Sequence, residues 1–179
     1  MSHHTIQLPR PDEYAPYFQT YLDALPAGDL MEILEKQMHI MLDLLLGMTD
    51  EQAEFRYAEG KWSVKEVIGH MIDTERIFAT RALCFARGEA ADLPGYDQDV
   101  YVAAGMFDAR SRGSLSGEYE QLRKSHLFLF STWNEEVQQR RGKADGKEMS
   151  VRAVPWIIAG HERYHLAILN ERYISRFAG

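Results

Sequence analysis

Four long segments with the hydrophobic spacing of amphipathic helices occupy most of this chain of 179 residues. Apolar side chains recur three or four positions apart in each segment, which places them on one face of a helix. The first segment is Leu30–Leu46, and the second follows Ser63 and is about 24 residues long. The third is Leu115–Val137, and the fourth runs from Ser150 to about Arg176. Strand-like alternation and internal repeats are absent from the sequence. The pattern predicts an all-α four-helix bundle that forms a single domain over residues 1–179.

The second segment carries the clearest start signal. We expect Ser63 to cap the helix and Glu66 to complete a capping box, with Trp62 packed on Val67 as a hydrophobic staple. Gly88 supplies the stop signal. These features predict a long helix that begins at a well-defined residue.

The connection from Glu89 to Gly113 is predicted to be a long crossover between helices two and three, with a short helix near Tyr101. Connections of this length are uncommon in compact domains and are often functional. The polar tract QQRRGKADGKE after the third helix is predicted to be a solvated loop. Pro155, early in the fourth segment, marks a bend or the true start of that helix.

Charge and cysteine content exclude several classes of protein. Twenty Lys and Arg residues against 27 Asp and Glu give a net charge of −7, and the basic residues are scattered, so nucleic acid is not an expected partner. Cys84 is the single cysteine, which excludes an internal disulfide. The start of the chain lacks the pattern of a signal peptide, and the apolar stretch Met38–Met48 is too short to span a membrane. We therefore expect a cytoplasmic protein with no membrane partner.

Two histidines lie in the middle of an apolar helix face. On a helical wheel His161 and His165 are about 40° apart and are flanked by Ile157 and Ile158. A buried imidazole without a partner costs about 1–3 kcal/mol, so each ring needs a ligand or a hydrogen bond. A divalent metal satisfies both rings at once, because side chains at i and i+4 project from one face.

His70 is the candidate third ligand, because it lies about 60° beyond the edge of the apolar face of the second helix, where it would face a seam between helices. The sequence leaves open the alternative that the three rings are core histidines with ordinary hydrogen bonds. His126 could be a fourth ligand, but a single histidine at a core edge is more often only hydrogen-bonded. Asp73, together with Asp97, Gln98 and Tyr101 of the crossover, could support the site or contact substrate, or could simply be solvated.

Residues 161–165 read His-Glu-Arg-Tyr-His, which matches the HExxH pattern of zinc peptidases. Glu162 is therefore a candidate catalytic base toward water, with a surface charge as the alternative. A peptidase is disfavoured because only 14 residues follow His165, Ile168 stands where the longer motif has glycine, and no strand is predicted to hold a peptide. A di-iron carboxylate bundle is disfavoured because Glu66 precedes His70 by four positions instead of three.

Three stretches, KWSVKEVIGHMIDTERIF, LPGYDQDVY and SVRAVPWIIAGHERYHLAILNERY, resemble the DinB-like, or YfiT-like, superfamily of four-helix-bundle metalloproteins. The resemblance implies a divalent metal, such as Zn, Ni, Mn or Fe, bound by His70, His161 and His165. Tyr164 departs from close relatives, which often have a further histidine there.

The resemblance also implies a function. Members with known activity use the metal to activate a low-molecular-weight thiol, as in bacillithiol S-transferases and mycothiol-dependent isomerases, and others are described as metal-dependent hydrolases. We therefore expect a metal-dependent transferase or hydrolase that acts on a small molecule, in a chain that forms a homodimer. The alternative is a non-catalytic stress-response bundle with a structural metal.

Overall fold

The computed structural model describes residues 4–177, so the ends of the predicted domain, residues 1–3 and 178–179, lie outside the described residues. The described chain contains eight α-helices: α1 (Gln19–Asp23), α2 (Leu30–Gly47), α3 (Asp50–Glu54), α4 (Val64–Ala86), α5 (Gln98–Gly105), α6 (Arg112–Ser131), α7 (Glu135–Gln139) and α8 (Ala153–Ile168). Short 3-10 turns lie at Pro11–Glu13, Pro16–Phe18, Phe107–Ala109 and Ile174–Arg176. A π-helical turn, Leu169–Tyr173, continues α8.

The four long helices α2, α4, α6 and α8 form the predicted four-helix bundle. Helix α2 packs against α6 and α8, and helix α4 packs against the same two helices. Helices that follow one another, α2 and α4 or α6 and α8, therefore lie diagonally across the bundle, unlike the neighbours of a simple up-and-down bundle. The long crossover is also confirmed, and it contains α5 at the predicted short helix. No helix among residues 4–177 is long and apolar enough to cross a membrane.

The start of α4 has the predicted capping box. The Ser63 hydroxyl accepts a hydrogen bond from the Glu66 backbone N–H at 3.0 Å, and the Glu66 carboxylate accepts one from the Ser63 N–H at 2.9 Å. Two of the N–H groups that a helix start leaves free are satisfied in this way. The first turn of α4, and with it His70 two turns later, is therefore held in a fixed position.

The predicted C-terminal end of the third helix is wrong. Helix α6 ends at Ser131, and Asn134 starts the separate helix α7 by accepting a hydrogen bond from the Val137 N–H at 3.0 Å. The hydrophobic spacing continues across this break, because Trp133 is buried between the two helices. Helix α8 begins at Ala153, so Pro155 lies in its first turn, where a missing N–H is tolerated.

The chain also contains a small sheet, which corrects the expectation of a strandless fold. Strand β1 (Asp92–Leu93) pairs in parallel with β2 (Arg141–Ala144), which pairs antiparallel with β3 (Lys147–Ser150). Asp145 and Gly146, at the turn between β2 and β3, have φ angles of 53° and 71°. Asp-Gly is a strong signal for this two-residue hairpin turn, and the polar composition of the tract obscured it.

A layer of buried polar residues divides the apolar core into two clusters. We call Glu75 of α4, Arg123 of α6 and Glu162 of α8 the ionic layer. The Arg123 guanidinium is fully buried and donates to both oxygens of Glu75 at 2.9 and 2.7 Å, to the Glu162 carboxylate, and to the Leu34 carbonyl of α2 at 2.9 Å. One side chain therefore joins all four long helices at mid-height.

The close approach of the N-terminal segment to α8 gives a test of this packing. A Cβ at Gly160 would lie 2.3 Å from the Tyr21 carbonyl oxygen, whereas a Cβ at Gly117, an exposed position of α6, would meet nothing within 4 Å. Gly160→Ala should lower the free energy of unfolding by about 1–3 kcal/mol because backbone has to move. Gly117→Ala should raise it by about 0.5–1 kcal/mol because alanine favours helix. Urea denaturation measures both values, and equal effects of the two substitutions would contradict the packing described.

Candidate metal centre

Three imidazole rings from two helices meet inside the bundle. His70 comes from α4, and His161 and His165 come from successive turns of α8. The Nε2 atom of His161 lies 3.1 Å from the Nε2 atoms of both His70 and His165. One ring nitrogen from each of the three lies within 4.8 Å of the others. The structure thus brings together the three histidines that the sequence singled out.

The surroundings keep these rings uncharged. Burial, together with the neighbouring His165, lowers the pKa of His70 to about 3. Burial also lowers the pKa of His165 to about 4 and that of His161 well below its usual range. A neutral imidazole has a lone pair on one ring nitrogen, which is the form that binds a metal.

The cluster fits a divalent cation. Zinc–nitrogen bonds of about 2.0–2.1 Å place two ligand nitrogens about 3.3 Å apart in tetrahedral geometry and about 2.9 Å apart at right angles. The observed separations of 3.1 Å lie between these values. Three protein ligands also leave a coordination position open, which is typical of catalytic sites and not of structural ones.

A hydrogen-bonded chain links the cluster to the crossover. The Thr74 hydroxyl lies 3.4 Å from His70 Nδ1 and 2.7 Å from the Tyr96 hydroxyl. When the His70 Nδ1–H donates to Thr74, the Nε2 lone pair remains free to face the other two rings. Neither Thr74 nor Tyr96 was a predicted site residue. Thr74 lies one helical turn after His70, and this spacing is the signal that could have identified it.

Aromatic rings enclose the three imidazoles. Trp62 lies 5.0 Å from His70, Tyr21 lies 5.5 Å from His161, and Tyr164 lies 5.3 Å from His165, measured between ring centroids. These rings desolvate the cluster on several sides. Tyr21 comes from α1, so the aromatic N-terminal segment is part of the site wall.

A cavity of about 1240 Å³ opens beside the three histidines. Its walls include Tyr96 and Gln98 of the crossover region, Ala144 and Met149 of the sheet, and Ile157 of α8. The crossover and the unpredicted hairpin therefore both shape the space next to the cluster. The volume is somewhat larger than the roughly 300–1,000 Å³ typical of small-molecule sites.

The structure does not place Glu162 with the histidines. Its carboxylate is 3 % exposed, accepts hydrogen bonds at 2.9 Å from the Tyr119 hydroxyl and pairs with Arg123 in the ionic layer. Glu162 is not among the residues that line the cavity. The alternative expectation, a surface charge, is wrong. Glu162 stabilises the bundle behind the cluster, and its role as a base has no support from this arrangement.

The remaining candidates divide between the core and the surface. His126 contacts Glu75 at 3.0 Å through Nδ1, which agrees with a hydrogen-bonded histidine at the core edge. Asp97 caps α5 by accepting from the backbone of Asp99, and Asp73 lies next to Arg76. Of the predicted polar neighbours, Asp73, Asp97, Gln98 and Tyr101, Gln98 lies on the cavity wall.

Comparison with known proteins identifies the family. The sequence model of the DinB superfamily matches residues 33–169, which include all three histidines. This chain belongs to the DinB superfamily. No protein of curated function is significantly similar to it in sequence.

The DinB fold is also evident in a solved structure. YfiT from Bacillus subtilis, described as a probable metal-dependent hydrolase with an unusual four-helix bundle topology, superposes with a TM-score of 0.71. The match has 16 % sequence identity and covers 95 % of this chain and 93 % of that chain. At this identity the likeness shows the shared fold.

The low pKa values of the cluster predict a pH-dependent stability of the metal-free protein. Unfolded histidines have a pKa of about 6.5, so below this pH the unfolded chain binds protons that the folded cluster does not. The free energy of unfolding should therefore fall as the pH drops from about 6.5 toward 4, by about 1.4 kcal/mol per pH unit for each histidine that titrates. Urea denaturation at several pH values measures this slope. His165→Asn should reduce it, and an unchanged slope would refute the assignment of a neutral, desolvated His165.

Glu162→Gln separates a structural from a catalytic role. The substitution keeps the size of the side chain and removes the charge that faces Arg123, so it should lower the free energy of unfolding by about 1–3 kcal/mol. Metal stoichiometry should not change, because the carboxylate lies outside the cluster. Glu171→Gln, at an exposed position beyond α8, is the control and should change neither quantity. If Glu162→Gln instead keeps full stability but loses turnover, Glu162 takes part in the catalysed reaction.

Proposed function

We propose that this chain is a metal-dependent enzyme that acts on a small molecule bound in the cavity beside His70, His161 and His165. The observation that carries the proposal is the convergence of three neutral imidazoles on one point at a cavity wall. Imidazole donors suit Zn, Ni and Fe, and Mn stays an expectation from the family resemblance. When bound, a divalent cation with three imidazole ligands supplies a Lewis acid that activates water or a thiol at neutral pH.

The protein residues have separate tasks in this proposal. The three histidines hold the metal, and Thr74 orients His70 through its Nδ1 atom. Trp62, Tyr21 and Tyr164 restrict water around the cluster, which strengthens electrostatic interactions there. Tyr96 of the crossover lies on the cavity wall and forms a hydrogen bond with Thr74. In this proposal a substrate that contacts Tyr96 is linked through Thr74 to the metal ligand His70.

Hydrolysis is the reaction we favour, because YfiT, which has the same fold, is described as a probable metal-dependent hydrolase. Thiol-dependent S-transfer, expected from the family resemblance, would use the same three histidines with a low-molecular-weight thiol in place of water. A cavity of about 1240 Å³ has room for a thiol cofactor beside a second small molecule. The homodimer, the cytoplasmic location and the absence of nucleic-acid partners stay predictions.

Metal content and turnover test the proposal together. The wild type should bind one equivalent of divalent metal by elemental analysis, and His161→Ala should lose it because two ligands remain in the cluster. His39→Ala, at an exposed position on α2, should retain the full equivalent. Hydrolysis of 4-nitrophenyl acetate, and separately conjugation of a bimane halide with cysteine, should depend on added Zn²⁺, Ni²⁺ or Mn²⁺ and fail in His161→Ala.

The pattern of results separates the candidate functions. Metal-dependent release of 4-nitrophenol without thiol supports a hydrolase, and a requirement for the thiol supports an S-transferase. If the metal raises the melting temperature but neither assay nor a wider panel of esters and thiols shows turnover, the structural-metal alternative gains and the enzyme proposal is rejected. Equal metal content in wild type and His161→Ala would reject the site itself.

A further inference from the structure

Arg81 lies on the same face of α4 as His70, farther along the cavity. His70, Thr74, Phe78 and Arg81 follow one another at helical spacing, and all four line the cavity wall. Arg81 is eleven positions after His70 in the helix, which corresponds to about 16 Å along the helix axis. The guanidinium therefore belongs to the end of the cavity away from the histidine cluster.

Arg81 is a buried cation without a carboxylate partner among residues 4–177. It is 7 % exposed, its Nη2 donates to the Pro94 carbonyl at 2.8 Å, and its guanidinium lies over the Phe78 ring at 5.1 Å. Asp145 acts on it only at longer range, and its carboxylate is paired with Lys147 at 2.6 Å. Since a guanidinium has five N–H donors, most of those of Arg81 are available to a ligand in the cavity.

The other buried cations of the described chain show what Arg81 lacks. Arg123 pairs with Glu75 and Glu162, and the Lys65 ammonium pairs with Glu54 at 2.9 Å. Burying a charge is costly unless an opposite charge or a set of hydrogen bonds compensates for it. An unpaired guanidinium at a cavity wall is thus matched to an anion that comes from outside the chain.

The charge around the cavity agrees with this match. Four cationic side chains line it, against two carboxylates, in a chain whose net charge is −7. The cations are Lys61, Arg81, Lys147 and Arg172, and the carboxylates are Asp99 and Asp145. A local excess of positive charge in a concave site attracts anionic ligands and orients them.

We propose that Arg81 binds the anionic group of the substrate, a carboxylate, sulfonate or phosphate, at the end of the cavity away from the histidines. The proposal rests on the proposed function, because it assigns the reacting bond to the histidine end. The substrate is then an elongated molecule with an anion at one end. Its apolar middle would pack on Phe78 and Ile157, which lie on the wall between the two ends.

Binding of matched probes to the chelator-treated full-length chain tests the proposal without metal or turnover. The probes are 4-phenylbutyrate, 4-phenylbutyl phosphate and the neutral 4-phenyl-1-butanol, and their affinities are measured by calorimetry or ligand-observed NMR. The wild type should bind at least one of the anions about tenfold to a hundredfold more tightly than the alcohol, because charge-assisted hydrogen bonds to a guanidinium are strong. The carboxylate and phosphate arms show which anion fits.

Three variants make the result specific. Arg81→Gln should abolish the preference for the anion, Arg81→Lys should retain part of it, and Lys61→Gln, which removes an exposed cation of the same cavity, should leave it unchanged. Melting temperatures show whether each variant is folded. A preference that persists in folded Arg81→Gln, or a wild type that binds none of the anions more tightly than the alcohol, would overturn the proposal.

Metal content separates this proposal from the proposed function. Arg81→Gln should still bind one equivalent of metal, and His161→Ala should lose the metal but keep the preference for the anion. A wild type that lacks metal but discriminates against the alcohol through Arg81 would reject the metalloenzyme and retain the anion site. A wild type with metal but no such discrimination would reject the anion site alone.

Discussion

The position of the candidate site depends on one buried guanidinium. Arg123 has no exposed surface, and it pairs with carboxylates of α4 and α8 while it also donates to the backbone of α2. Burial alone would raise the pKa of Glu75, but Arg123 and His126 lower it to about 2, so Glu75 and Arg123 form a buried ion pair, whereas burial raises the pKa of Glu162. Helices α4 and α8 are also the two helices that carry the histidines. Their rotation about their own axes, and hence the direction of the three imidazoles, is set by the ionic layer.

The histidine cluster lies on the neighbouring face of the same helices, and its side chains are uncharged, unlike the ion pair of the ionic layer. Here desolvation favours neutral rings, and no carboxylate of the described part of the chain approaches them to hold a proton. Three lone pairs directed at one point repel one another unless a proton or a cation lies between them, and burial disfavours the protons. The ion pair of Arg123 and Glu75 thus has its charges balanced within the chain, whereas the cluster is arranged to receive charge from a metal.

The sequence predicted the parts of the fold and site that depend on local or periodic signals. The capping box at Ser63 and the i, i+4 spacing of His161 and His165 are such signals, and the structure confirms the helices that carry them. The ionic layer could not be predicted in this way, because Arg123 meets Glu75 and Glu162 across 48 and 39 residues of chain. A charged residue has the same position on a helical wheel whether it is paired in the core or solvated. The sequence therefore left only a surface charge or a catalytic base as roles for Glu162.

The hairpin and the far end of the cavity show a second limit of prediction from sequence. Asp145 and Gly146 did carry a turn signal, but the short strands around it are polar and pair partly with the distant β1. Arg81 lies within a helical pattern in which it interrupts the apolar face, and only the packed structure shows that no carboxylate of residues 4–177 forms an ion pair with it, Asp145 being paired with Lys147. Both features require knowledge of which distant segments pack together.

X-ray absorption spectroscopy of the protein loaded with one equivalent of Zn²⁺ tests the central claim most directly. The account predicts a zinc ion with three imidazole nitrogens at about 2.0–2.1 Å, and two in a His70→Ala variant that is measured under the same conditions. A first shell without imidazole scattering, or one that is unchanged by His70→Ala, would contradict the claim that the three histidines of α4 and α8 converge on a shared cation.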